Sequence, residues 1–376
     1  MTSSEHTSEP VALSTRIHAV DAFRGLGVLL FALSTIGARA VFAMPPSTVV
    51  DLLRGQLRPT IWQGLSLVDF CFPTFLFVSG VSLALSFHRR RILGQTASEL
   101  WRRSIARGAV LGLIGVLLSS RWTGSADNIA WSGPLQQLGL CIVLCGTVSI
   151  HPSGSRIPLT VSLVLFALRG LLLALSPSAD VSSDQLTFHD NLAASLDGRF
   201  LPGTKDFGLW SPYGILATLP SCGFMLLGVA VGRGRTNRAA SSQRAIVLSL
   251  TTGIASINAG ALLSSFIPSI PPLVSTSFAL ISSGTLLLMW GALSAIDNRT
   301  PLSRCLVPLR VMGRNSLLIV VLLTLLPLSM LSHVVIQADF SRWLAGAAPI
   351  VRAAIEFAII YLPACALYRF NRFFTV

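Results

Sequence analysis

Between residues 22 and 368 the chain strings together long apolar runs separated by short polar loops, a pattern that excludes a soluble domain. The runs lie near 22–44, 66–88, 105–120, 134–150, 157–176, 213–232, 245–267, 273–296, 311–332 and 349–368. Roughly 20 apolar residues cross a bilayer core as a helix. Lipid offers no partner for backbone N–H and C=O groups, so each run must satisfy its own by coiling. The predicted fold is therefore all-α, a polytopic membrane protein with about ten transmembrane helices. Composition agrees: 52% of the 376 residues are hydrophobic and 11% are charged.

The formal charge of +13 raises the question of nucleic acid. The arginines, however, are dispersed through short loops, as in Arg89-Arg90-Arg91, Arg102-Arg103, Arg233, Arg235 and Arg310, and the positive-inside rule accounts for them without a nucleic-acid partner. That bias predicts a multi-pass protein of the cell membrane with both termini cytoplasmic. The opposite loops collect Asp180, Asp184, Asp190, Asp197 and Asp206. Residues 1–15 are polar and read as a disordered cytoplasmic tail rather than a cleaved signal, and 16–376 as a single transmembrane domain. The longest outer segment, 177–212, is punctuated by Phe188, Phe200, Phe207 and Trp210, and is expected to form an ordered cap over the outer mouth. Cys141 and Cys145 share a helix face as small packing residues; no metal and no disulfide framework are implied.

Against this apolar background an ionisable residue is costly and marks function. Asp69 falls inside the second run, four residues before Pro73, which cannot donate to the Asp69 carbonyl; a kinked helix with a freed acceptor beside a partnerless acid is the expectation. His18, Asp21 and Arg24 share a stripe where the first helix begins, with Gly25 and Gly27 following, which suits an anion or cofactor site at the cytoplasmic mouth. Arg352 and Glu356 are spaced to pair with each other along one helix.

Several segments, in order, resemble the heparan-alpha-glucosaminide N-acetyltransferase family. Arg16 to Leu26 is similar to its opening "R-x-x-S-x-D-x-x-R-G-L" motif, and Trp62 to Ser86 to "W-x-G-x-x-x-x-D-x-x-F-P-x-F-x-F-x-x-G-x-S-x-x-x-S". Gly133 to Leu138, Asn191 to Asp197, Ser211 to Pro220, Ser275 to Phe278 and Gly313 to Ser316 match later pieces. The resemblance implies a multi-helix membrane acyltransferase that takes an acyl group from cytoplasmic acyl-CoA and delivers it to an acceptor, commonly an amino sugar. It also implies Asp21, Arg24 and Asn315 as cofactor-side residues. The chain departs from the family at specific places. Pro59 stands where the family carries a histidine, Gln137 for an arginine, Ser211 and Tyr213 for the acids of "D-P-E-G", and Ser34 or Thr35 for an asparagine.

Two readings follow for function. In the first, the chain moves an acyl group from acyl-CoA to a small-molecule or lipid acceptor at the membrane, with Asp69, or His189 and Asp190 from the outer loop, replacing the missing histidine as base. In the second, Asp69 acts as an acid that cyclises or isomerises a prenyl or terpenoid lipid. A non-catalytic transporter and a homo-oligomeric assembly both stay open at this level.

Overall fold

In a computed structural model, residues 18–120, 126–151, 154–175, 188, 191–236, 242–297, 300–336 and 345–371 are described. Regular structure among them is helical, with one isolated bridge between Ala130 and Gly203. The first helix, α1, runs His18–Phe42, with a π-helical stretch at Leu33–Gly37. After the short α2 (Thr48–Leu57) come α3 (Cys71–Ile92), α4 (Ala97–Ser119), α5 (Pro134–Ile150) and α6 (Arg156–Ala174). The short α7 (Leu192–Phe200) precedes α8 (Thr218–Thr236), α9 (Ser242–Leu263) and α10 (Thr276–Asp297). The chain closes with α11 (Val307–Arg314), α12 (Ser316–Leu325), α13 (Leu328–Val335) and α14 (Ala348–Arg369).

The polytopic all-α class is thus as expected. Among the described residues, six helices are individually long and apolar enough to cross a membrane, and a seventh span results if the pair around α11 and α12, bent by 63°, counts as one. The expected ten runs are an approximate count: α4 carries Arg102, Arg103 and Arg107 in its first half, and α5 has 17 residues.

Helix packing is set by small residues. Helices in lipid gain no hydrophobic drive toward one another, so close backbone approach supplies the contact. α3 lies on α8, where a Cβ on Gly80 would stand 1.9 Å from the Met225 carbonyl oxygen and one on Gly228 2.0 Å from that of Phe77. Phe23 of α1, Phe77 of α3 and Trp290 of α10 fill the space behind this contact, with ring centroids 5.3 to 6.1 Å apart. Cys141 and Cys145 of α5 meet Cys222 of α8 in the same core, the Cys141 and Cys222 sulfurs 3.7 Å apart, as buried packing residues.

Two ends of the bundle differ in chemistry. The end where α3 finishes gathers Arg24, Arg107, Arg235, Arg310 and Arg314, and is called the arginine face below. The end where α3 begins carries Asp69 and the cap around α7, and is called the Asp69 face.

One further expectation is corrected. Glu356 does not pair along its helix with Arg352; it binds Arg39 of α1 at 2.6 Å and accepts a hydrogen bond from Ser332 of α13 at 2.9 Å. A buried carboxylate takes the donors that tertiary packing brings, and these lie far away in sequence.

Candidate functional site

Asp69 sits at the mouth of its helix rather than inside it. Leu67–Phe70 form a single 3₁₀ turn that leads into α3, so Pro73 lies in the first α-helical turn, where a missing N–H costs nothing and no kink is needed. The expected freed acceptor and partnerless acid are therefore corrected together. The Asp69 carboxylate reaches back to the N–H of Ser66 at 2.8 Å, as in the second half of a capping box. It also accepts from the N–H of Thr60 at 3.0 Å and from the Thr60 hydroxyl at 2.6 Å. Arg169 of α6, a buried cation, does not pair with Asp69; its Nε donates to the carbonyl of Leu273 at 3.1 Å.

Asp69 and Thr60 border a cavity of about 320 Å³ on this face. Its wall is apolar for most of its area: Phe31 of α1, Phe72 and Phe75 of α3, Leu138 of α5, Phe224 of α8 and Phe278 of α10 all contribute. Ser34, inside the π-helical stretch, also faces it; such insertions re-aim side chains and recur at functional sites.

Of the segment expected to form a cap, residues 177–187, 189 and 190 lie outside the described residues; the described part gathers aromatic side chains at this mouth. Trp62, Phe188, Phe207 and Trp210 pack edge to face or tilted with centroids 4.9 to 6.2 Å apart, and Trp210 donates its indole N–H to the Phe188 carbonyl at 3.0 Å. Asn191 caps α7 through the N–H of Ala194. Fully buried Asp197 accepts from the N–H groups of Ser211 at 3.1 Å and Ile215 at 2.9 Å, which fixes the Ser211–Ala217 turn. That turn delivers Tyr213 to the cavity, edge-on to Phe72 at 5.0 Å. Burial pushes the Tyr213 phenol well up, with the nearby Asp206 carboxylate adding to the shift, so the group stays a neutral hydroxyl. His189 and Asp190 lie outside the described residues.

Positions at which the chain departs from the family pattern converge here. Pro59, Ser34 and Tyr213 line the cavity, and Gln137 lies just beneath it, donating to Thr218 and to the lining residue Ser221 at 3.3 Å each. Sequence reasoning missed Thr60, which has no motif of its own. It also passed over Ser66-Leu67-Val68-Asp69, whose spacing is that of a helix-start signal.

The second group of expected site residues lies on the arginine face. Asp21 is buried and paired with Arg314 of α11 at 3.2 Å, while Arg24 donates to Ser82 of α3 at 2.8 Å. Arg314 also stacks over Tyr368 of α14 at 4.9 Å. Close approach of α1 and α11 makes this possible, since a Cβ on Gly313 would stand 1.7 Å from the Asp21 carbonyl oxygen. Arg107 of α4 is near enough to Arg24 for their charges to repel. Asn315 occupies the 63° break between α11 and α12; its amide donates to the carbonyls of Val311 at 3.4 Å and Ala364 at 3.1 Å, which ties the break to α14. Asp21 and Arg24 thus face one cationic shelf, and Asn315 stands behind it as a helix tie.

Comparison with known proteins adds the family context. The profile of the family described as "Heparan-alpha-glucosaminide N-acetyltransferase, catalytic" matches residues 16–259, well over half of the chain. Two curated relatives carry the name heparan-alpha-glucosaminide N-acetyltransferase. The mouse protein is 28% identical over 131 residues and the human protein 27% identical over 133 residues. Each alignment covers 34% of this chain and 18% of the relative's own length.

Proposed function

The chain belongs to the heparan-alpha-glucosaminide N-acetyltransferase catalytic family, and from that premise we propose that it is a transmembrane acyltransferase. It draws on acyl-CoA at the arginine face and delivers the acyl group to an acceptor held in the Asp69 cavity. The observation that carries this reading is the placement of the two sites on one helix pair. Arg24 of α1 meets α3 at Ser82, and Asp69 opens the same α3 at the other face. Thirteen residues separate them along the chain, about 20 Å at 1.5 Å per helical residue, so a donor that serves both sites is a long, thin molecule with an anionic end. An acyl-pantetheine arm with its phosphates on the arginines has that shape, and a guanidinium is suited to phosphate.

In this account Asp69 takes the proton of the acceptor as it attacks the thioester carbonyl. The new bond to the acyl carbon forms as the C–S bond breaks, and the proton passes to the departing thiolate. Three donors fix the carboxylate in place, and an ionised carboxylate has about four acceptor sites, so one remains for the acceptor's proton. The arginine asymmetry supports a cytoplasmic arginine face.

The test is release of free thiol from acetyl-CoA or palmitoyl-CoA by the protein in lipid nanodiscs. Protein-dependent release, lost on boiling, is the expected result. No release above the protein-free rate with either donor would overturn the proposal.

A further inference from the structure

The family's curated relatives are named for an amino-sugar acceptor, but the cavity of this chain is built for something else. Its size lies at the lower end of the range for small-molecule pockets, roughly 300 to 1,000 Å³. Its polar side chains are few and mostly committed. The Ser34 hydroxyl donates to the carbonyl of Phe31 at 2.8 Å, the Thr60 hydroxyl to Asp69, and the Cys71 thiol faces the carbonyl of Gly27 at 3.5 Å. Ser221 already receives the Gln137 amide. What is left is the open acceptor site on Asp69 and the neutral hydroxyl of Tyr213, both lining the same aromatic and aliphatic chamber. A hexosamine, with a polar group on nearly every ring carbon, would leave most of those groups facing rings and methyls. Each unpaired polar group buried that way opposes binding. Pro59 adds to this: it lines the cavity with a ring that offers neither donor nor acceptor on its side chain.

We propose that the cavity takes an apolar alcohol as its acceptor, with the hydroxyl seated between Asp69 and Tyr213 and the hydrocarbon body against Phe72, Phe75, Leu138 and Phe278. The proposal rests on the acyl-transfer reading above and names its acceptor class. The hydroxyl donates its proton to the vacant position on Asp69 and accepts from Tyr213. Attack on the thioester forms a C–O ester bond as the C–S bond breaks; the proton leaves through Asp69 to the thiolate, and the products are an ester and free CoA thiol. No oxidant or metal enters the balance.

The experiment uses a long-chain alcohol bearing a diazirine and an alkyne tag, photolysed with the full chain in nanodiscs, with labelled peptides mapped by mass spectrometry. Labelling should fall on α3 and α5 peptides that line the cavity and should be displaced by decan-1-ol but not by glucosamine. Leu138→Trp, which adds bulk to the cavity wall from α5 and leaves Asp69 itself unchanged, should cut that labelling by about tenfold or more; Tyr213→Phe should weaken displacement by decan-1-ol while leaving the cavity open. Thiol release from acetyl-CoA is followed in the same samples. Release stimulated by glucosamine but not by decan-1-ol, with no displaceable cavity label, overturns the alcohol acceptor while acyl transfer stands. Displaceable cavity labelling without thiol release from acetyl-CoA or palmitoyl-CoA overturns acyl transfer instead, and with it the acceptor role. Labelling confined to lipid-facing helix surfaces, unaltered in Leu138→Trp, also overturns the proposal.

Discussion

Asp69→Asn is expected to lower thiol release by about a hundredfold or more, the range by which a positioned general base contributes, while the protein remains folded. Two separate effects combine. The amide has no basic oxygen to take the acceptor's proton. It also cannot satisfy the donors around it in either orientation. With its NH₂ in place of one oxygen it faces the N–H of Thr60, and with the NH₂ in place of the other it faces the N–H of Ser66. Leaving one such donor unpaired costs about 1 to 3 kcal/mol, enough to loosen the turn but not to unfold a bundle of this size. The measurement is thiol release alongside thermal melting in the same detergent. A variant that melts as expected but releases thiol at the wild-type rate would remove Asp69 from the chemistry.

The largest effect on folding is expected from Gly80→Val. Its new Cβ would stand 1.9 Å from the Met225 carbonyl oxygen and 2.8 Å from the carbonyl carbon, and both belong to backbone. A flexible neighbour could swing away; a helix backbone cannot. Overpacking a core costs about 1 to 3 kcal/mol where side chains can adjust, and this site has no side chain to adjust, so α3 and α8 must separate. Separation opens the core around Phe77 and the wall of the cavity that both helices share. The variant should run as an aggregate on size-exclusion chromatography and be cut rapidly by protease. Gly112→Ala supplies the control: nothing lies within 4 Å of its added Cβ, and alanine in a helix interior is favoured over glycine by roughly 0.5 to 1 kcal/mol. Equal behaviour of the two variants would mean that the α3 and α8 contact is not as close as described.

The class of fold was legible because lipid leaves a long apolar run one choice, and the Trp62-to-Ser86 stretch announced its carboxylate by placing it where a charge is costly. The role of that carboxylate was harder to read. Pro73 has the same sequence signature whether it kinks a long helix or opens a new one, and only the 3₁₀ turn at Leu67–Phe70 decides between them. The Ser66 and Asp69 spacing carried the deciding signal, at a place where hydropathy alone favours an unbroken span. Asp21 and Arg24 were found as special residues, but their tertiary contacts were not: each turns to a different helix, Asp21 to Arg314 and Arg24 to Ser82, through contacts that no local spacing encodes. The same holds for Glu356 and Arg39, and for Thr60, whose importance comes only from standing beside Asp69. Cavity-lining departures such as Pro59 and Tyr213 were visible one by one, while their convergence required the fold.

The central claim is that one donor molecule links the two faces, and it is tested most directly by a structure of the protein in nanodiscs with a non-hydrolysable acyl-CoA analogue. The account predicts phosphates beside Arg24 and Arg314 and the acyl carbon next to Asp69 in the cavity. An analogue bound with its phosphates on the Asp69 face, or with its acyl end outside the cavity, would contradict it.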